Sequence, residues 1–284
     1  MFEPPETQVP EITIKVNPED VGLLSDFLVN HTEIAKRRIK DAISKGAVWI
    51  KRGRSAPRRV RRANFMLRPN DQVSLFYDEA FLSRSIPRAL CVADMKHYSV
   101  WFKPMGLGME GGKYGDHLSL RRQVEVFFDP FREVHFVQSL DYRHSGLLVV
   151  AHSNSAATKL GVLAARHRIQ TTYRILVEGE FSKDDQNGTI DTDIEGKPAK
   201  TSYCVQHYDH DRDVSTVEVK VNNLRESQFD IHFASIGHPV VDNLAPDGVV
   251  ADTEGSMLGV ELSFECPILK KDMMFALDEK HQYL

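Results

Sequence analysis

Leu147-Leu148-Val149-Val150-Ala151 is an unbroken apolar run, entered through the small pair Ser145-Gly146. A run this short, and rich in β-branched residues, reads as a strand that must be buried, so the chain needs a sheet large enough to cover it. Immediately before it stands Ser139-Leu140-Asp141-Tyr142-Arg143-His144, with one carboxylate set beside an apolar residue at the mouth of that strand. A turn there can aim Asp141 into a cleft while the strand holds it rigidly. Two readings are open at this point. Asp141 is either a nucleophile or base in a dry pocket, or an aspartate that caps its own turn.

The 284 residues allow one large domain and one small one. No apolar run approaches the roughly 20 residues a membrane-spanning helix needs. The first residues, Met1-Phe-Glu-Pro-Pro-Glu, have neither the basic start nor the apolar stretch of a signal peptide. Cys91, Cys204 and Cys266 are far apart and form no Cys-x-x-Cys pair, which argues against disulfides or structural zinc. A monomer in the reducing cytoplasm is expected.

Charge is the second strong signal. Between Lys36 and Arg68 the chain has thirteen Lys or Arg and a single acid, Asp41, so this stretch carries +12 while the rest carries −16. Solvated surfaces normally mix their signs. Basic charge this concentrated in a patterned segment points to a polyanion, and RNA-binding candidates are Lys36, Arg37, Arg38, Lys40, Arg52, Arg54, Arg58, Arg59, Arg61 and Arg62.

Four stretches are expected along the chain: an irregular Pro- and Glu-rich arm (1–18), a small binding module (19–78), a linker (79–97) and a large domain (98–284). In the module, Val21, Leu24, Phe27 and Leu28 recur at helical spacing, and Ile34, Ile39 and Ile43 mark a second helix that ends at Gly46. Strands follow at 47–50 and 71–77. This layout, with its late Pro-Asn-Asp-Gln-Val segment, resembles the small alpha-L type RNA-binding domain first known from a ribosomal protein. In the large domain strands are expected at 98–102, 146–151, 172–178, 201–208, 214–221 and 258–264. Helices are expected at 154–167, capped by Ser153, and at 225–236. Strands outnumber helices without alternating regularly, which favours an α+β fold around a mixed, mostly antiparallel sheet, preceded by a small α/β module.

Four separated pieces carry a second resemblance. They are Trp101-Phe-Lys103-Pro-Met-Gly-Leu107, Leu140-Asp141 with Ser145-Gly-Leu-Leu148, Tyr173-Arg-Ile-Leu-Val-Glu-Gly179, and the segment from Arg225 through Ile231-His-Phe-Ala-Ser-Ile-Gly-His-Pro-Val240. In order and spacing they resemble the RluA-type pseudouridine synthases, from about residue 98 to the end. The resemblance implies isomerisation of a uridine in ribosomal or transfer RNA, with no cofactor and no metal. It makes Asp141 the catalytic carboxylate and Tyr173 the ring that stacks on a flipped base, with Lys103, Arg143 and Arg225 as further substrate-binding candidates.

The chain also departs from that family's pattern. Asp230 stands where an arginine pairs with the catalytic aspartate, Ser139 and Gln138 replace an Arg and a His, and Thr171 replaces a basic residue. A second carboxylate would raise the pKa of Asp141. An RNA-binding descendant without turnover is therefore the alternative to an enzyme. Other motifs fall away. His207 to Asp213 lies where a hairpin turn is expected, the glycines between Gly106 and Gly115 lack the Lys-Ser/Thr helix of a phosphate loop, and His144 and His152 read as turn and surface residues.

Overall fold

The computed structural model describes residues 11–222, 224–225, 227–241 and 255–278. It divides into two compact units, Met1–Ile86 with Glu110–Gln123, and Pro87–Met109 with Val124–Leu284. The expected large domain is thus interrupted: residues 110–123 belong with the N-terminal module.

In the first unit, β1 (Glu11–Lys15), α1 (Leu24–His31), α2 (Lys36–Ser44), β2 (Val48–Lys51), β3 (Arg58–Arg59), β4 (Gln72–Phe76) and α3 (Glu79–Leu82) follow in order. The strands form an antiparallel sheet in the order β1-β4-β2-β3. Apolar residues from both helices and the sheet, including Leu24, Phe27, Leu28, Ile39, Ile43, Val48, Ile50, Val73 and Leu75, form one core. Gly46 takes φ +81 directly after α2, the left-handed turn a helix end favours. Strand β1 corrects the expectation of an irregular arm. Its alternation Glu-Ile-Thr-Ile-Lys is too short to stand out from the polar residues around it.

The second unit holds β5 (Leu90–Asp94), β6 (Tyr98–Lys103), the end of α4 (Leu120–Phe127), β7 (His135–Phe136), β8 (Ser145–Ala151), α5 (Asn154–Ala165), β9 (Gln170–Glu178), β10 (Asn187–Asp191), β11 (Lys200–Asp209), β12 (Val214–Val221), α6 (Gln228–Ser235), β13 (Met257–Cys266) and β14 (Lys271–Ala276). Its sheet runs β10-β11-β12-β9-β13-β8-β6-β5, with β14 on β13 and β7 on β8. The β8–β13 pair is parallel and the others are antiparallel, so the sheet is mixed and mostly antiparallel, as the sequence implies. The expected linker contains α3 and β5, whose short exposed-and-covered patterns carry little periodic signal.

All seven residues of β8 are buried, which is what its apolar run demands. Helix α5 is capped by Ser153, whose Oγ accepts from Ala156 N at 3.2 Å, and packs its Ala156, Leu160 and Leu163 into the core. Where β8 starts beside β13, Gly146 has φ +153, and a Cβ there would lie 2.7 Å from Gly259 N. Two glycines facing each other let the strands close up at the base of the Asp141 turn. Helix α6 starts at Gln228, three residues later than expected, because the chain before it is spent on a turn in which Arg225 N donates to the Gln228 side chain at 3.1 Å.

Candidate active site

The turn that carries Asp141 is tied at three points. Gly106 N donates to Tyr142 O at 2.7 Å, His144 N donates to Asp141 O at 3.2 Å, and Ser145 Oγ donates to Met257 O at 3.3 Å. The Asp141 side chain is 43% exposed and its Oδ1 accepts twice from one residue. Arg143 N donates at 2.9 Å and Arg143 Nε at 3.1 Å. Burial pushes the Asp141 carboxyl up, but the backbone and side-chain bonds and the charge of Arg143 outweigh it, and the group is held below the usual carboxylate range. Asp141 is thus a reachable, ionised carboxylate on a turn anchored by a buried strand.

Arg143 is the ion-pair partner of Asp141. The family pattern puts that partner on α6, where this chain has Asp230 and a raised Asp141 pKa is expected; the bonds from Arg143 hold it down instead. Asp230 lies on the first turn of α6, and with His144 it lines a small open cleft that also includes Ile175, Phe229 and Met257. Burial holds the His144 imidazole below its ordinary value, against the pull of Asp141, so it is neutral at pH 7. His144, expected as a turn residue, lies in the Asp141 turn and lines the cleft that Asp230 also lines.

Other candidates are placed differently from expectation. Lys103 is fully buried, and its Nζ donates to Leu107 O at 2.9 Å and Pro104 O at 3.1 Å. It shapes the 104–107 turn, whose Gly106 holds the Asp141 turn, and does not present its ammonium to a ligand. Tyr173 is only 7% exposed, with its ring edge-on to Phe229 at 5.4 Å, so no free face is offered for stacking in this state. Burial pushes its hydroxyl up to about 12. Arg225 donates from Nη2 to Pro198 O at 3.1 Å and is not among the groups acting on Asp141. Thr171 is buried within β9, and Ser139 is exposed.

The basic segment sorts into two sets. Arg52 forms a two-bond pair with the buried Asp71, at 2.7 and 2.6 Å. Arg59 and Arg61 both bond Asp116, which is only 7% exposed, and Arg59 also lies over the Trp49 ring at 4.6 Å. These three, expected to bind RNA, serve the module's own structure; long charged side chains near apolar surface find such partners first. Lys36 pairs with Asp26 at 2.6 Å and Arg38 with Glu79, both at the surface. Arg58 is exposed, 5.5 Å from the Phe65 ring centre. Among the described residues, Arg37, Lys40, Lys51, Arg54 and Arg62 are exposed and make no ion pair. The His210–Asp213 segment is the turn between β11 and β12, where Tyr208 Oη donates to Asp213 at 2.7 Å.

A sequence profile of the RNA pseudouridylate synthase family matches residues 97–236, a span that holds Lys103, Asp141, Tyr173 and Asp230. The chain belongs to that family, in its RluA-type branch. An RNA pseudouridine synthase of Aquifex aeolicus, itself uncharacterized, is 26% identical over 254 residues, covering 81% of this chain and 78% of the relative. The dual-specificity RNA pseudouridine synthase RluA of Yersinia pestis is 28% identical over 185 residues, covering 59% of this chain and 84% of its own. The solved structure of human RNA Pseudouridylate Synthase Domain Containing 1 overlays with a TM-score of 0.56 at 20% identity, over 71% of this chain and 92% of that one, and supports the fold. The pseudouridine synthase sheet therefore carries the Asp141 turn at the start of its buried β8 strand.

Proposed function

We propose that this synthase isomerises a uridine within structured ribosomal or transfer RNA, with Asp141 as the catalytic carboxylate. The observation that carries the reading is the state of that carboxylate: half exposed, ionised, and oriented by two bonds from Arg143. The reaction breaks the bond from C1′ to N1, turns the base, and joins C1′ to C5. N1 ends with a proton, and the proton on C5 goes to water. An anionic Asp141 can act on the sugar as nucleophile or as base at neutral pH without first losing a proton. The target base must leave its stack to reach the turn, at a cost of a few kcal/mol. Tyr173 and Phe229 then part to admit it, exposing the ring face that is covered in the free protein. The first unit supplies sequence-independent attraction through Arg37, Lys40, Lys51, Arg54, Arg58 and Arg62.

The test uses ribosomal and transfer RNA transcripts tritiated at uridine C5. Wild-type protein is expected to release tritium, and Asp141→Asn to bind the same RNA with unchanged salt sensitivity but release none. Equal RNA binding with no release from the wild type would favour the RNA-binding descendant; release undiminished in Asp141→Asn would remove Asp141 from the chemistry.

A further inference from the structure

The sheet of the first unit has a face that its own core does not use. Helices α1 and α2 pack on the side to which Val48, Ile50, Val73 and Leu75 point. Strand alternation sends Trp49, Ser74 and Phe76 to the other side. The register lines them up: Thr13 stands opposite Ser74, Ser74 opposite Trp49, and Trp49 opposite Arg59. Phe76 follows Ser74 by two residues on β4, so it is the diagonal neighbour of Trp49, about 7–8 Å away. Thr13, Lys15, Lys51 and Gln72 on this side are exposed, so the face is open to solvent.

An open face of an antiparallel sheet is normally polar. This one carries two aromatic rings, and the stretch Lys113-Tyr114 adds a third. Trp49 Nε1 donates to Lys113 O at 3.1 Å, and the Tyr114 ring meets Phe76 edge-on at 6.0 Å. All three rings are half-buried. Cations lie against them: the Lys113 ammonium is 5.6 Å from the centre of Phe76 and 5.0 Å from that of Tyr114, and the Arg59 guanidinium is 4.6 Å from that of Trp49. The four strands hold one acid, Glu11, whose carboxylate is 4.0 Å from Lys113 Nζ, so the charge of the face is positive.

We propose that this face is a stacking platform for an unpaired stretch of the RNA, with bases on Trp49, Phe76 and Tyr114 and phosphates on Lys15, Lys51 and Lys113. The proposal rests on the reading of RNA as the substrate, and adds a single-stranded contact to the phosphate attraction of α2 and the basic loop. An exposed lysine resting on rings is weakly held. A base can therefore take its place on the rings while the ammonium moves to the adjoining phosphate. Stacking on aromatic rings accepts any base, and unpaired RNA suits an aromatic-bearing sheet because its bases can be splayed onto it. A duplex keeps its base faces stacked on one another and gains nothing from the rings.

The chain has two tryptophans, and Trp101 is buried, so quenching by an added oligonucleotide reports on Trp49. Octauridylate is expected to quench that emission saturably. In anisotropy titrations with fluorescein-labelled octauridylate, Trp49→Leu and Tyr114→Leu are each expected to weaken binding roughly 10- to 100-fold, the loss of one base–ring stack. Trp49→Phe and Tyr114→Phe keep a ring and should stay within about threefold of wild type. Both Trp49 variants lose the indole bond to Lys113 O, so a merely structural role would move them alike. A labelled RNA duplex should bind wild type and variants within about twofold of one another, which also shows that the variants are folded. Octauridylate affinity unchanged in both leucine variants, equal losses with Phe and Leu, or absence of Trp49 quenching each overturns the inference. Wild type that binds the duplex but not octauridylate overturns it too, and leaves RNA as the substrate. Wild type that binds octauridylate through the rings but releases no tritium supports the platform and refutes the catalytic reading alone.

Discussion

Replacing Lys103 with methionine tests whether a buried cation underlies the Asp141 turn. The side chain is fully buried, and burial holds its amine down to about 7 from 10.5, with the charge of Asp141 pulling the other way. An uncharged amine keeps two N–H donors, enough for the carbonyls of Pro104 and Leu107 that it bonds. The sign follows from linkage. Between about pH 7 and 10.5 the unfolded chain carries a proton that the native state has given up, so stability rises with pH across that window. The limiting slope is about 1.4 kcal/mol per pH unit, and because the rise only begins near pH 7, the gain between pH 6 and 8 is roughly 1 kcal/mol. Below pH 6 the buried charge is fully present and contributes no slope. Methionine fills similar volume and cannot titrate. Urea unfolding of wild type and Lys103→Met at pH 6, 7 and 8 should therefore diverge, the wild type gaining about 1 kcal/mol on the variant. Other titrating groups cancel in the difference if they lie far from the site. Parallel stability profiles over that range would refute the assignment of a depressed buried amine.

Gly146→Ala should destabilise the second unit by about 2–4 kcal/mol in chemical denaturation, because its φ of +153 disfavours a side chain and the new Cβ would meet backbone at 2.7 Å. Asp116→Asn should cost about 3 kcal/mol, since it strips two arginines of their shared carboxylate. Burial pushes the Asp116 carboxyl up but Arg61 and Arg59 hold it below its ordinary value, so the native state binds fewer protons. Its contribution is present above about pH 4 and lost as pH falls further, a dependence the Asn variant should lack in acid unfolding curves. Arg37→Ala with Lys40→Ala should weaken RNA binding in filter assays and reduce the slope of log K against log salt by up to about 2, with no loss of thermal stability. Arg59→Ala should do the reverse, lowering the melting temperature more than the salt slope.

The fold was largely legible because its strongest signals are local. The β8 run, the α5 periodicity behind its serine cap, and the two helices ending at Gly46 are each set by near neighbours in sequence. What escaped was set by distant partners. Strand β1 exists because it pairs with β4, fifty-seven residues on, and its own alternation is only five residues long. The position of Asp141 was readable from the turn and the strand after it. The partner of Asp141 was not, because the family pattern places it on a helix, whereas the guanidinium comes from within the turn itself. A basic run also cannot announce which arginines are spent internally: Arg59 and Arg61 face an aspartate more than fifty residues later.

That last pairing has a consequence for synthesis. Asp116 is the counter-charge for two arginines of the first unit, yet it is encoded after β5 and β6 of the second. The N-terminal module cannot complete its own ion-pair network until the chain through residue 123 has been made, by which time two strands of the catalytic sheet have already emerged. Its final assembly is therefore a late event, tied to a contact of long sequence separation and slowed accordingly. A fragment cut after Ile86 lacks the carboxylate that neutralises Arg59 and Arg61, and would show RNA two cations that the whole protein keeps for itself.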